Sequence, residues 1–201
     1  TLNTRGKAIM YRDTICDARY SKSCGGITEN GENVWIMDQK PYLKSLTDEN
    51  SQTQNNISNE ESFKNWMQLQ HSSFCGPQFI DENKLGEYLG NVDKNGNYYR
   101  WEISYNLDEL KKIIFDKTGK LFTKIDQILP LKRGASGRIL HLDIIGALKN
   151  KKNHKLSVKS EYEIRRILHP KFLYSSAFTI ETNSNTNSST YFTLKGAGWG
   201  H

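Results

Sequence analysis

Residues 107–148 read LDELKKIIFDKTGKLFTKIDQILPLKRGASGRILHLDIIGAL, and the hydrophobic period changes partway through them. In LDELKKIIFDKTG, Leu107, Leu110, Ile113 and Ile114 recur at helical spacing, and Gly119 stands at the C-terminal stop. FTKIDQILPLKR then reads as a strand ended near Pro130, whose ring removes a ladder donor. RILHLDIIGAL alternates apolar positions as a strand does. Between the two, RGASGR (Arg133 to Arg138) reads as a tight connection between strands, and its backbone amides offer a cradle for an anion. A short connection of this kind joins antiparallel neighbours. The stretch therefore predicts an α+β fold.

Outward from it, the same reading adds antiparallel strands, hairpins and about three helices. KAIMYR and ICDARYS form a β-hairpin with Asp13-Thr14 at the turn. CGGITENGEN is a Gly/Asn-rich loop, and VWIMD a short strand. Ser58 with Glu61 three later is a capping box, opening a helix through FKNWMQLQ with Phe63, Trp66, Met67 and Gln70 on one face. NKLGEYL is a weak helix, and Asn95-Gly96 a turn before the strand YYRWEISYN. NKKNHK reads as a charged turn, and LSVKS leads into the helix EYEIRRIL, stopped by Pro170. FLYSSAFTIET and TYFTLKG are strands flanking the polar tip NSNTNSS. No repeat appears and no linker separates two domains, so residues 1–201 read as one domain. A polar insertion at 47–62 and an added lobe at 79–121 are expected within it.

The 201 residues suffice for a core without staples. They are 36% hydrophobic and 11% aromatic, which is polar but not disordered. A net charge of +6 permits a polyanionic partner such as nucleic acid, cell-wall polymer or membrane surface. No basic stripe is interleaved with aromatics, so nucleic acid is not the expected one. No apolar run approaches the ~20 residues of a membrane span. The opening TLNTRGKAIMYR reads as the inside of a domain, so a preceding segment is expected.

Several chemistry-bearing stretches need weighing. Asp93, Asn95 and Asn97 echo a calcium loop, but Tyr98 stands where its glycine belongs and Ser104 where its glutamate belongs. GAGWGH lacks the remaining parts of a dinucleotide fingerprint. Cys16, Cys24 and Cys75 show no CxxC pair, so no metal or other cofactor is expected. They remain open between one disulfide with a spare thiol and buried free thiols. Gly-Trp-Gly-His puts a stacking ring and an imidazole on a backbone free to bend, which suits a sugar's apolar faces and polar edges. A buried aromatic corner is the alternative. Tyr20, Ser21, Ser23 and Thr28 set hydroxyls around Gly25-Gly26, where a ligand can approach the backbone closely.

Taken in order, DARYSKSCGGIT, NVW, PYL, RGASGRI, EIRRIL, LYSSAF and F-x-L-x-GAGWGH resemble the SpoIID/LytB family of stage II sporulation protein D and amidase-enhancer domains. The resemblance spans nearly the whole chain. It implies peptidoglycan glycan strands as partner, an extracytoplasmic location (periplasm or cell envelope), and in one branch lytic transglycosylase activity. Such enzymes cleave between N-acetylmuramic acid and N-acetylglucosamine in strands stripped of stem peptides, leaving 1,6-anhydro ends. The other branch implies a non-catalytic binder that assists a cell-wall amidase. The chemistry needs one carboxylic acid with a raised pKa rather than a carboxylate pair. The family places that glutamate in a segment upstream of the region matched by Thr1, so the expectation is that residues 1–201 alone are inactive. Glu29 and Glu32 sit in a loop that reads as solvated and are not expected to serve. The implied cleft residues are Tyr20, Ser21, Ser23, Gly25, Gly26, Thr28, Ser175, Ser176, Trp199 and His201. Cys24 stands where the family commonly has Ser or Thr, and is expected as half of a disulfide with Cys16 or Cys75.

Overall fold

The computed structural model describes residues 2–50, 56–69, 71–88, 97–184 and 190–200. The α+β expectation holds: helices pack on antiparallel strands in small sheets. The chain opens with a short hairpin of β1 (Met10–Tyr11) and β2 (Thr14–Ile15). Its turn falls at Arg12-Asp13, one residue earlier than expected, with Arg12 in the left-handed region at φ 53°. A single helical turn, α1 (Gly31–Val34), follows where a loop and then a VWIMD strand were expected. Those apolar residues find no strand partner among the described residues, and Ile36 is fully exposed. Helix α2 (Glu60–Gln68) buries Phe63 and Trp66. Its N-cap is Asn59, whose side chain accepts the Ser62 N–H at 2.8 Å, and not Ser58. Gln70 and the Asn95-Gly96 turn lie outside the described residues.

After α3 (Glu82–Tyr88), β3 (Arg100–Asn106) runs directly into α4 (Leu107–Thr118). The Asn106 side chain accepts the Glu109 N–H and Glu109 accepts the Asn106 N–H, both at 2.9 Å. This reciprocal box satisfies two otherwise orphaned donors. Gly119 then ends the helix at φ 70°. Leu110, Ile113 and Ile114 are buried, as their spacing requires. Strands β4 (Phe122–Arg133), β5 (Ile139–Leu148) and β6 (Lys151–Lys159) form an antiparallel sheet with β5 central. Two expectations are corrected here. Pro130 does not end β4, because β4 is an edge strand and a register shift follows the proline directly. NKKNHK is mostly strand, with only Lys149-Asn150 at the turn.

Helix α5 (Glu161–Ile167) follows, and β7 (Phe178–Ser184) and β8 (Thr190–Ala197) join β3 in a second sheet, with β8 central. The segment before Phe178 is irregular, so the strand starts later than FLYSSAF suggested. Within the expected lobe at 79–121, β3 and α4 contribute to the main core. Trp101, Tyr105, Leu110 and Ile114 lie in the main core with Leu142, Ile144, Ile164, Phe178 and Phe192. A second, smaller apolar cluster joins Ile27, Ile57, Phe63, Trp66, Ala177 and Ala197. The ends of the 47–62 stretch are also tied in, since Thr47 bridges Ile27 and Ile57 is buried.

Candidate functional site

Strand β8 delivers the glycine-rich end of the chain to the Gly25-Gly26 turn, although the two are separated by most of the sequence. Trp199 N–H donates to the Ser23 carbonyl at 2.8 Å, and the Trp199 carbonyl accepts from Lys22 N–H and Ser23 N–H at 3.1 and 3.2 Å. The crossing requires glycine on both sides. Gly25 has φ 77° and Gly198 φ 76°. A Cβ on Gly25 would lie 2.5 Å from Gly198 N, and one on Gly198 would lie 2.9 Å from the Ser23 carbonyl oxygen. Backbone cannot yield to such an intrusion as a side-chain tip does.

Trp199 emerges half-buried from this crossing. Its ring stacks on Tyr174 at 3.9 Å between centroids and tilts against Tyr98 at 4.8 Å. The Lys22 ammonium lies 5.4 Å from the Trp199 centroid and 5.8 Å from that of Tyr98. A cation beside an aromatic platform is attracted by the ring quadrupole. Beneath the Gly-Gly turn, Arg100 donates to the Gly25 carbonyl at 2.7 Å and lies over the Trp66 and Tyr99 rings. The Tyr99 hydroxyl donates to Ser73 Oγ at 3.1 Å.

The expected cleft residues divide into groups. Ser23, Gly25 and Trp199 meet at the crossing, and Gly26 beside it packs against Ser73 and Trp66. Tyr20, Ser21 and Thr28 line a hollow of ≈ 260 Å³ with Arg19, Trp35 and Tyr42, and Trp199 is not among its lining residues. Tyr20 is 90% exposed there. Ser175 and Ser176 are fully buried, so they are not cleft-lining. Ser175 donates to the Ala197 carbonyl at 2.7 Å and accepts from Ala177 N–H, tying the irregular segment to β8. His201 lies outside the described residues.

Glu29 is not solvated. It is 7% exposed, and its carboxylate accepts from Ala135 N–H, Ser136 N–H, the Ser136 hydroxyl, Asn30 N–H and the Asn33 amide. The RGASGR loop thus is both a tight connection and an anion cradle, and the anion is the chain's own Glu29. Of the other buried carboxylates among the described residues, Glu161 pairs with Arg165 at 3.1 Å. Asp143 feels burial pushing it up, but the Ser157 hydroxyl and Lys155 outweigh that and hold it below the usual carboxylate range.

The third feature is a cluster of Cys24, Asp48 and Cys75, whose ligand atoms all lie within 4.8 Å of one another. The two sulfurs are 3.4 Å apart. Cys16 is elsewhere, on the β1–β2 hairpin, with its N–H donating to Ile9. Sequence reasoning missed Asp48, Tyr98, Tyr174 and Lys22. Only the tyrosines carried a signal, as part of aromatic-rich stretches. Asp48 and Lys22 look like ordinary surface charges until the chain is folded.

The fold and the crossing define an α+β domain whose C-terminal glycine strand closes against an early Gly-Gly turn. Residues 29–201 match a family described as a domain of unknown function, DUF8618, and the chain belongs to that family. The Tyr20–Thr28 segment lies just before the matched region. No curated protein and no solved structure matches the chain.

Proposed function

We propose that this protein processes or binds peptidoglycan glycan strands outside the cytoplasm, in the manner of the SpoIID/LytB proteins its sequence resembles. The observation that carries the reading is the pairing of Ser23 with Trp199, which unites two of the segments on which that resemblance rests. The chemistry of the corner supports it. Trp199 and its aromatic neighbours offer a face for an amino-sugar ring. Lys22 beside that face suits a carboxylate, and N-acetylmuramic acid stripped of its stem peptide bears a free lactyl carboxylate.

Cleavage in this reading needs one neutral carboxylic acid near the glycosidic oxygen. Glu29, Asp143 and Glu161 are each committed to donors within the fold. In this reading the acid is the glutamate that the resemblance assigns to a segment ahead of the matched residues. A second reading, a non-catalytic binder that assists a cell-wall amidase, uses the same corner without the acid.

The test is incubation of the full-length protein with purified, peptide-free glycan strands. Mass spectrometry then reads 1,6-anhydro-muramic ends and sedimentation reads retention. Anhydro ends support the enzyme. Retention without them supports the binder. Trp199→Ala is expected to weaken retention by roughly 2- to 10-fold, on the scale of losing one stacking contact. Neither cleavage nor retention sinks both readings, and turnover by residues 1–201 alone refutes the upstream acid.

A further inference from the structure

Cys24 and Cys75 stand 51 residues apart in sequence, yet their Sγ atoms are 3.4 Å apart. Three hydrogen bonds hold them there, two of them between backbone groups. Asp48 N–H donates to the Gly26 carbonyl at 2.8 Å, Phe74 N–H donates to the Asp48 carbonyl at 2.9 Å, and Cys75 N–H donates to Asp48 Oδ2 at 2.8 Å. Gly26 packs so closely that a Cβ there would lie 2.9 Å from Ser73 Oγ. We propose that Cys24 and Cys75 are a redox pair that closes to a disulfide, cross-linking the Gly-Gly turn to the Ser73–Gly76 loop and leaving Cys16 as a free thiol. This holds whether or not the glycan reading is right.

Geometry favours a covalent bond over a metal. Two thiolates on a tetrahedral zinc sit about 3.8 Å apart, from Zn–S bonds of about 2.3 Å. The sulfurs here are already closer than that, and Asp48 Oδ2 is engaged with Cys75 N–H. At 3.4 Å the sulfurs stand about 1.4 Å beyond the S–S bond length of about 2.05 Å.

The environment also distinguishes the two sulfurs. The Cys24 thiol donating to it, helped by Ser23, lowers the Cys75 pKa despite burial and Asp48. The same bond to Cys75, with burial, pushes Cys24 well up. Cys75 is thus the attacking thiolate. It attacks a sulfur of an external disulfide, R–S–S–R, supplied by a low-molecular-weight disulfide or an oxidised dithiol protein. A mixed disulfide forms, and the first R–S⁻ leaves and takes up a proton. Cys24 then loses its proton to solvent and attacks the Cys75 sulfur, expelling the second R–S⁻, which is protonated in turn. Two protein thiols and one R–S–S–R become one protein disulfide and two R–SH.

The experiment is oxidation of the whole chain with excess oxidised glutathione, alkylation, digestion and mass spectrometry. The expected result is a Cys24–Cys75 linked peptide that dithiothreitol abolishes, with Cys16 alkylated before and after reduction. In the reduced protein, Cys75 should be alkylated several-fold faster than Cys24 at neutral pH. The oxidised protein should melt roughly 5–10 °C higher than the reduced one, because the bond constrains the unfolded chain. Cys24→Ser and Cys75→Ser should each abolish that difference. Three alkylated thiols after oxidation, a bond through Cys16, or stoichiometric zinc shielding the pair until a chelator is added would each overturn the proposal. Mapping of the unmutated chain decides it even where a serine variant fails to fold.

Discussion

Two glycines with nearly the same backbone show how differently one residue type is used. Gly25 has φ 77° and Gly119 φ 70°, so alanine is strained at both. A Cβ at Gly119 meets nothing within 4 Å, whereas one at Gly25 lies 2.5 Å from Gly198 N. Gly119→Ala should therefore cost only the left-handed backbone penalty, about 1 kcal/mol. Gly25→Ala must also push the terminal strand off the turn, and should cost roughly 3 kcal/mol or more. Urea unfolding of both variants checks this, and equal losses would show that the crossing is loose. The density of glycine at both segments could be read from sequence, but their contact could not. Nor could the burial of Glu29, because the Ala135 and Ser136 amides it binds are more than a hundred residues away.

Among the elements, those with a self-contained period were the readable ones. Helix α4 carries its apolar spacing, its cap and its stop within Asn106–Gly119, and the structure places it there. Asn106→Ala removes the acceptor for Glu109 N–H and half of the reciprocal box. A loss of about 1 kcal/mol is expected in urea unfolding; no change would mean that packing against the sheets alone fixes the helix start. Strand β6 was misread because its first residues, Lys151, Lys152 and Asn153, are all exposed on an edge. The alternation of His154, Leu156 and Val158 toward the interior begins only near the end of the stretch that looked like a turn. Pro130 misled for a related reason, since a missing donor ends a central strand but not an edge. VWIMD had strand-like residues and, among the described residues, no neighbour to pair with, which is a fact of topology and not of the segment.

Across the whole molecule, the two apolar clusters differ in size and in what holds them. Among the described residues the main core gathers nineteen buried side chains from both sheets, α4 and α5. The smaller cluster gathers six, from α2, Ile57 ahead of it, the Gly25–Ile27 turn, the end of β8 and Ala177. Burial contributes in rough proportion to apolar area, so the smaller cluster has less to hold it closed. Its links to the rest run through Arg133, which pairs with Glu60, and through the backbone bonds at the crossing. This predicts two tiers of opening in native-state hydrogen exchange of the reduced protein. Amides of Leu142 and Ile144 in central β5 should exchange only through global unfolding, with the full denaturant dependence. Those of Phe63 and Trp66 in α2 should exchange through a smaller opening, at least about 2 kcal/mol easier and with a shallower denaturant slope. Oxidation of Cys24 with Cys75 should narrow that gap, because the bond fastens the turn that borders the smaller cluster. A single shared free energy and slope for all four amides would mean instead that the corner bearing Trp199 opens only when the entire fold does, and any ligand there would meet a rigid wall.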